Sequence, residues 1–401
     1  MYDTLIIGGG IAGLYVAREL LKKNPSKRVV LCEKSKYLGG RAYTYHWANQ
    51  DLHWANQDLH WEAGAGRIST DHKILLGLIK EYDLETAPIG SSMRYRENGA
   101  ALFEENIFEP SFPILLDPLR RLSHGLLTNY TIKELLTFIH GATTTKKYLD
   151  RFPYYSEVNI MRAESALREF AHEMHDHSGF VVIKKGFSEL IARMVKDLKK
   201  RGLEILTEHT LLNVSEGEAE FEQKTIRARR IIVALPADAL SKIPAFKRWP
   251  LLDHVQMEPL LRIYAVFDEP WFHDIGRIAT ASPIRYFIPV GEKVAMISYT
   301  DSVYTRPYVD LDEKKIMKDL RELFPEKDIP DPLFMKSHYW QDGVTYWLPG
   351  PWEPEKDSVA ALQPFPKKCP NLFLCGESFS LRQGWVEGAL EHADKLLDYI
   401  R

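Results

Sequence analysis

Three cysteines in 401 residues, Cys32, Cys369 and Cys375, each in or beside an apolar strand-like run, leave little from which to build a disulfide framework. That scarcity is expected of a chain kept in a reducing, cytoplasmic compartment. No run approaches the ~20 apolar residues that a membrane-spanning helix needs. An excess of one charge is missing too: 52 basic against 55 acidic side chains give a net charge of -3, with no global field for nucleic acid or an anionic membrane. The basic clusters at Lys22-Lys23, Lys199-Lys200-Arg201 and Arg227 to Arg230 are expected at element boundaries, as solvated faces. The opening YDTLIIGGGIAGLYVAREL has no basic leader and is interrupted by Arg18 and Glu19, so it is expected to be folded chain and not a signal peptide. What remains reads as a soluble chain with enough apolar content, 45%, for two domains or one large one.

The first chemical signal lies in the first forty residues. Thr4 to Ile7 read as a buried strand; Gly8-Gly9-Gly10-Ile11-Ala12-Gly13 follow, and then Leu14, Ala17, Leu20 and Leu21 repeat at helical spacing. A G-x-G-x-x-G alone is weak, but set between a strand and a helix it permits a tight turn and lets the backbone approach a pyrophosphate at the positive end of the helix. A second strand, Arg28 to Cys32, delivers Glu33 twenty residues beyond Gly13, where a carboxylate can accept hydrogen bonds from a ribose. The negative charge argues against a 2′-phosphate. This fingerprint leaves NAD and FAD both open.

Leu38-Gly39-Gly40-Arg41 then adds a second close backbone approach and a fixed cation. With these residues the chain resembles the flavin-containing amine oxidase family and its wider group of flavoproteins with two dinucleotide motifs. The resemblance implies FAD, an α/β Rossmann-like FAD-binding domain and an interleaved α+β substrate domain. It makes Gly8, Gly10, Ile11, Ala12, Gly13, Glu33, Lys34, Gly40 and Arg41 cofactor-binding, together with Gly64, Ala65, Gly66 and Arg67 in the segment passing the flavin. Val214 would present its backbone to the adenine. Near the C-terminus Gly376 and Glu377 match the motif on the ribityl-diphosphate side, and Trp385 and Val386 the helix start beside the isoalloxazine. A helix N-terminus there would stabilise negative charge on the reduced ring.

Between the two early motifs WANQDLH occurs twice in tandem, Trp47 to His53 and Trp54 to His60. His46, His53 and His60 would share one face of a helix, but Asn-Gln-Asp favours a turn and the family has an extended turn between strands here. A lengthened loop is expected, and no metal site. Further on, Lys184 to Phe187 and the helical pattern through Leu198 read as a return to the nucleotide domain. They are followed by strands at 203–206 and 211–214, a polar hairpin-like stretch at 215–225, and a buried strand from Arg230 that ends at Pro236. The expected division is a discontinuous FAD-binding domain of 1–75, 181–244 and 366–401, and a substrate domain of 76–180 and 245–365.

The resemblance also gives Trp385 one wall of a substrate cage, with Tyr346 and Trp347 as candidates for the second; flat aromatic walls favour an amine nitrogen. No cysteine falls between Trp340 and Trp352, where relatives with covalent flavin carry one, so the FAD is expected to be non-covalent. The segment LLRIYAVFDEPWF resembles the strand that carries the family's flavin-facing lysine, and it places Arg262 at that position. Arginine stays protonated; it can hold a water or a carboxylate but is no tunable base. The expected activity is amine oxidation: hydride leaves the carbon next to nitrogen, and the partners are a small amine and O2. Alternatives are a desaturase, a redox-neutral mutase or isomerase, suggested by MYD and GGRAYT, or an FAD-binding scaffold. Oligomeric state stays open, and nothing selects among Glu104, Glu105, Asp176 and Asp342 as a binder of a distal cation.

Overall fold

A computed structural model describes residues 1–48, 59–90, 93–99, 115–173 and 179–400. The chain forms two compact units from separated segments: Met1–Ile89, Phe180–Met257 and Trp352–Arg401 make the first, Gly90–Gly179 and Glu258–Pro351 the second. Three stretches read from sequence as substrate domain, 76–89, 245–257 and 352–365, therefore cluster with the first unit. The reasons are local. The helix Lys73–Glu81 runs straight through position 76, the strand Thr86–Ile89 pairs with Phe180–Ile183, Trp352 stacks on His254, and Leu362 joins the first unit's core.

In the first unit the apolar run Tyr2–Ile7 is a central parallel strand between Val29–Cys32 and Thr225–Val233, with Leu5 opposite both Val30 and Ile231. Glu204–Leu206 and Leu372–Leu374 extend the parallel sheet on its two sides. Parallel neighbours need a crossover, which the helix Ile11–Lys23 supplies. That helix packs against Phe187–Lys200 and the closing helix Val386–Tyr399, so it is buried on most faces, Leu14, Val16 and Ala17 completely. The arrangement is an α/β, Rossmann-like fold. The polar stretch at 215–225 holds a strand of its own, Glu218–Phe221, and Thr225–Val233 begins five residues before the expected Arg230. The cluster at Arg227 to Arg230 is accordingly mid-strand and not at a boundary: Arg227 and Arg229 are exposed while Ile226 and Ala228 are buried, the period of two of a half-buried strand.

The second unit is built on a six-stranded sheet in the order Phe334–Trp347, Val255–Val266, Val294–Asp301, Tyr286–Pro289, Arg277–Ala279, Met93–Tyr95. Alternation sends Leu261, Ile263, Phe287 and Ile297 to one face, packed with the helix Glu313–Leu323. Tyr286, Tyr299 and Tyr346 go to the other, packed with helical residues from 115 to 170.

Candidate active site

The glycine turn after the first strand is shaped by two separate demands. A Cβ on Gly13 would lie 2.1 Å from the carbonyl oxygen of Gly8, so the chain's own packing forbids a side chain there. At Gly10 the opposite holds: no atom lies within 4 Å of where a Cβ would stand, and φ -72, ψ 178 is open to any residue. Gly10 is also the N-cap of the helix Ile11–Lys23, which has no side-chain cap and no acidic residue in its first turn. Bare backbone N–H groups at a positive helix end beside open space fit the diphosphate of a dinucleotide.

Neighbouring segments complete this cradle. Glu33 leaves the second strand with Oε2 accepting from the Gly9 N–H at 2.8 Å and Oε1 from the Ser35 N–H at 2.8 Å, which fixes the carboxylate beside the turn; Lys34 next to it is exposed. The Gly39 N–H donates to the Gly9 carbonyl at 2.8 Å, and Gly39 bridges to Gly10, so the second glycine motif lies against the first. Arg41 pairs through Nη2 with Glu377 Oε2 at 3.0 Å, while Glu377 Oε1 accepts from the Gly384 N–H at 2.9 Å. Gly64 lies so close to the Arg41 carbonyl that a Cβ would be 1.9 Å from it, and the Ala65 N–H donates to the same oxygen at 2.9 Å. Gly66 and Arg67 continue this segment. Val214 sits buried in the strand Leu211–Ser215, opposite Ala219.

Trp385 is the N-cap of the closing helix and is half-buried. Phe180 stacks parallel to it at 6.3 Å, His72 meets its edge at 5.1 Å, and the Arg67 guanidinium lies 5.6 Å from its ring centre and 5.1 Å from that of Phe180. Its face thus has a cation of the chain's own beside it. The following Val386 is half-buried. Glu387, in the same first turn, is buried and accepts from the Ile74 and Leu75 N–H groups at 2.8 and 2.9 Å, capping a different helix. His392, one turn on, accepts the Gly376 N–H on Nδ1 at 3.2 Å and has Nε2 2.9 Å from the Ser358 carbonyl; burial pushes its pKa down to about 4. Phe180, His72, Glu387 and His392 were not read from sequence; only the Glu387 carboxylate in a glycine-flanked helix start signalled a special task.

In the second unit Arg262 lies across from Tyr299, with its guanidinium 5.0 Å from that ring's centre. Burial opposes its charge, but Tyr264 and Tyr299 outweigh burial and hold its pKa above the ordinary value. His338 nearby is pushed down to about 4 by burial and by Lys336 and Arg262. Tyr346 and Trp347 are consecutive on one strand and point to opposite faces; Tyr346 belongs to the cluster that contains Tyr299. The Tyr346 hydroxyl donates to Glu157 Oε1 at 3.3 Å. Burial, and then the negative charge of Asp301, push the Glu157 carboxyl above the usual carboxylate range. Asp301 itself accepts from the Tyr155 and Ser156 N–H groups at 2.9 and 2.7 Å. Glu157 is a buried acid that was not read from sequence. Asp342 is half-buried on the Tyr346 strand, whereas Glu104, Glu105 and Asp176 lie outside the described residues.

A family profile described as flavin containing amine oxidoreductase matches residues 11–395. Aplysianin-A of Aplysia kurodai is 23% identical over 100% of this chain and 90% of its own length. An uncharacterized protein of Acanthamoeba polyphaga mimivirus is 22% identical, covering 98% of this chain and 93% of its own. Among solved structures, a putrescine oxidase bound to putrescine superposes with a TM-score of 0.75 at 16% identity, over 100% of this chain and 99% of that one, a likeness of fold. Among the described residues no helix is long and apolar enough to cross a membrane.

Proposed function

Because the chain belongs to the flavin-containing amine oxidoreductase family, we propose that it is an FAD-dependent amine oxidase, with non-covalent cofactor, acting on amines that carry a carboxylate. When bound, FAD would supply an acceptor for the hydride given up by the carbon next to nitrogen, with O2 as the final oxidant reduced to peroxide, and the imine product would hydrolyse in water to a carbonyl compound and free amine. The observation that carries the cofactor assignment is the open space at Gly10, at the uncapped start of the Ile11–Lys23 helix.

The chain's own part is to bind and orient. Gly8, Gly10, Ile11, Ala12 and Gly13 would take the diphosphate, Glu33 with Lys34 beyond it the ribose, and Gly40 and Arg41 the second side of the diphosphate. Gly64, Ala65, Gly66, Arg67, Gly376, Glu377, Trp385 and Val386 would line the ribityl and ring side, with Val214 toward the adenine. Trp385, Tyr346 and Trp347 are the aromatic candidates for substrate walls, and Arg262 would hold a water or a carboxylate without acting as a base. The substrate class follows from Arg67. A guanidinium packed against Trp385 repels a purely cationic amine at that wall and offers a planar fork to a carboxylate.

Anaerobic titration of the yellow protein with monoamines, polyamines and amino acids tests both levels. Amino acids are expected to bleach the flavin band, and Arg67→Met to weaken them about 10- to 100-fold, the scale of a lost charge-assisted pair. Bleaching by polyamines alone overturns the substrate class. No bleaching by any amine, with dithionite still reducing the flavin, overturns oxidation itself and leaves the mutase, desaturase or scaffold readings.

A further inference from the structure

Glu33 has a neighbour on the side away from the glycine turn. On the FAD reading given above, we propose that this neighbour, His209, is a further cofactor-binding residue whose ring accepts a hydrogen bond from the amino group of the adenine. The strands Tyr2–Ile7, Val29–Cys32 and Glu204–Leu206 lie side by side and parallel, with Ile7 opposite Cys32 and Cys32 opposite Leu206, so all three end at one edge of the sheet. Ligands of open α/β sheets bind outside the carboxyl ends of the strands. The first of these ends carries the glycine turn for the diphosphate, and the second carries Glu33 for the ribose. A dinucleotide laid diphosphate, ribose, base in that direction reaches the third end next, where Thr207, Glu208 and His209 stand. Their loop leads into the strand Leu211–Ser215, which holds Val214, the residue expected at the adenine.

This loop is tied to Glu33 and braced from several sides. The Glu33 N–H donates to the Leu206 carbonyl at 2.9 Å, the His209 N–H to the Glu33 carbonyl at 2.9 Å, and the Glu208 N–H to the Ser35 carbonyl at 3.3 Å. Glu208 turns the chain with φ 59, a left-handed conformation uncommon for residues other than glycine, and Gln223 Nε2 donates to its carbonyl. Backbone held in that region by its surroundings is found at ligand clamps. The ring is fixed as well. Its Nδ1 lies 2.7 Å from the Thr207 carbonyl oxygen, and a carbonyl only accepts, so Nδ1 carries the hydrogen and the neutral ring has its lone pair on Nε2. The ring is half-buried and packs at 66° to Phe221, with centres 6.1 Å apart. The amino group of adenine is a donor, so an acceptor of fixed tautomer on a braced loop suits it. Hypoxanthine has a carbonyl at the same carbon and would set two acceptors against each other.

The test is a titration of the full chain, stripped of flavin, with FAD and with the FAD analogue that carries hypoxanthine in place of adenine, read by the change in flavin fluorescence. The parent is expected to bind FAD about tenfold more tightly than the analogue, the scale of an acceptor left facing no donor, and His209→Ala to bind the two within about twofold of each other. His209→Gln, whose amide can turn its oxygen to the same donor, should recover part of the preference. Equal affinity of the parent for both ligands overturns the proposal without any variant having to fold, and so does a folded His209→Ala that keeps the parent's preference for FAD, whether or not it binds both more weakly. A parent that binds neither ligand overturns the FAD reading, and this proposal with it.

Discussion

Gly10 and Gly13 stand three residues apart in one turn, and their surroundings separate what the sequence presents as equal members of a motif. Gly13→Ala drives a Cβ into the backbone oxygen of Gly8, which cannot yield without moving the turn. The expected result is a loss of about 2 kcal/mol or more in urea unfolding of the apo-protein. Gly10→Ala places its methyl in open space at an ordinary φ and ψ, so the apo-protein should unfold at an unchanged midpoint while its flavin-to-protein absorbance ratio collapses. Equal losses of stability in the two variants would show that the space at Gly10 holds no ligand. His392 offers a residue-scale test in pH. Its folded pKa, about 4, is depressed below the ordinary 6.5, so the unfolded chain takes up the proton first. The stability is fully present above pH 6.5 and is lost as pH falls toward 4, by at most roughly 3 kcal/mol. Replacing His392 with Gln, which can both accept from Gly376 and donate to Ser358, should flatten that acid limb; an equally steep limb in the variant would assign it to other groups.

At the scale of elements, the closing helix starts with a carboxylate that serves another helix. Lys73–Glu81 has no side-chain cap of its own, since its N-cap is His72, and its second and third N–H groups donate to Glu387. The pattern of three glycines and three carboxylates from Gly376 to Glu391 thus divides. Glu377 fastens Arg41 beside the cradle, Gly388 clears the Arg382 carbonyl, which a Cβ would approach to 1.8 Å, and Glu387 caps a helix that is remote in sequence. Glu387→Ala leaves the half-buried Ile74 and the buried Leu75 N–H groups without this acceptor, and a loss of about 1–3 kcal/mol is expected in urea unfolding, with Glu387→Gln recovering part of it. Identical stabilities for Ala and Gln would mean that the hydrogen bonds contribute nothing.

For the whole molecule, each unit draws on segments far apart in sequence, so neither can be produced by a single cut. Ending the chain at Pro351 removes the strand Leu372–Leu374 and the helix Val386–Tyr399, and with them Leu390, Ala393 and Leu396 of the first unit's core. Such a truncation is expected to give no cooperative thermal transition and no flavin; a folded yellow product would contradict the division into units. The sequence by itself determined the start of that unit, because strand, glycine turn, helix and acidic strand end are consecutive and their signals are local: period, backbone freedom, charge at the end of a strand. It also determined the family, through Gly39 to Arg41 and the motif at Gly376 and Glu377. Only the tertiary structure decided which glycine leaves room for a ligand, that Arg67 packs beside Trp385, that Glu387 caps a helix more than three hundred positions away, and that His46 and His60 are partners across strands and not neighbours on a helix. Those facts depend on distances between residues remote in sequence, and the periodicity of one segment carries no information about what packs against it.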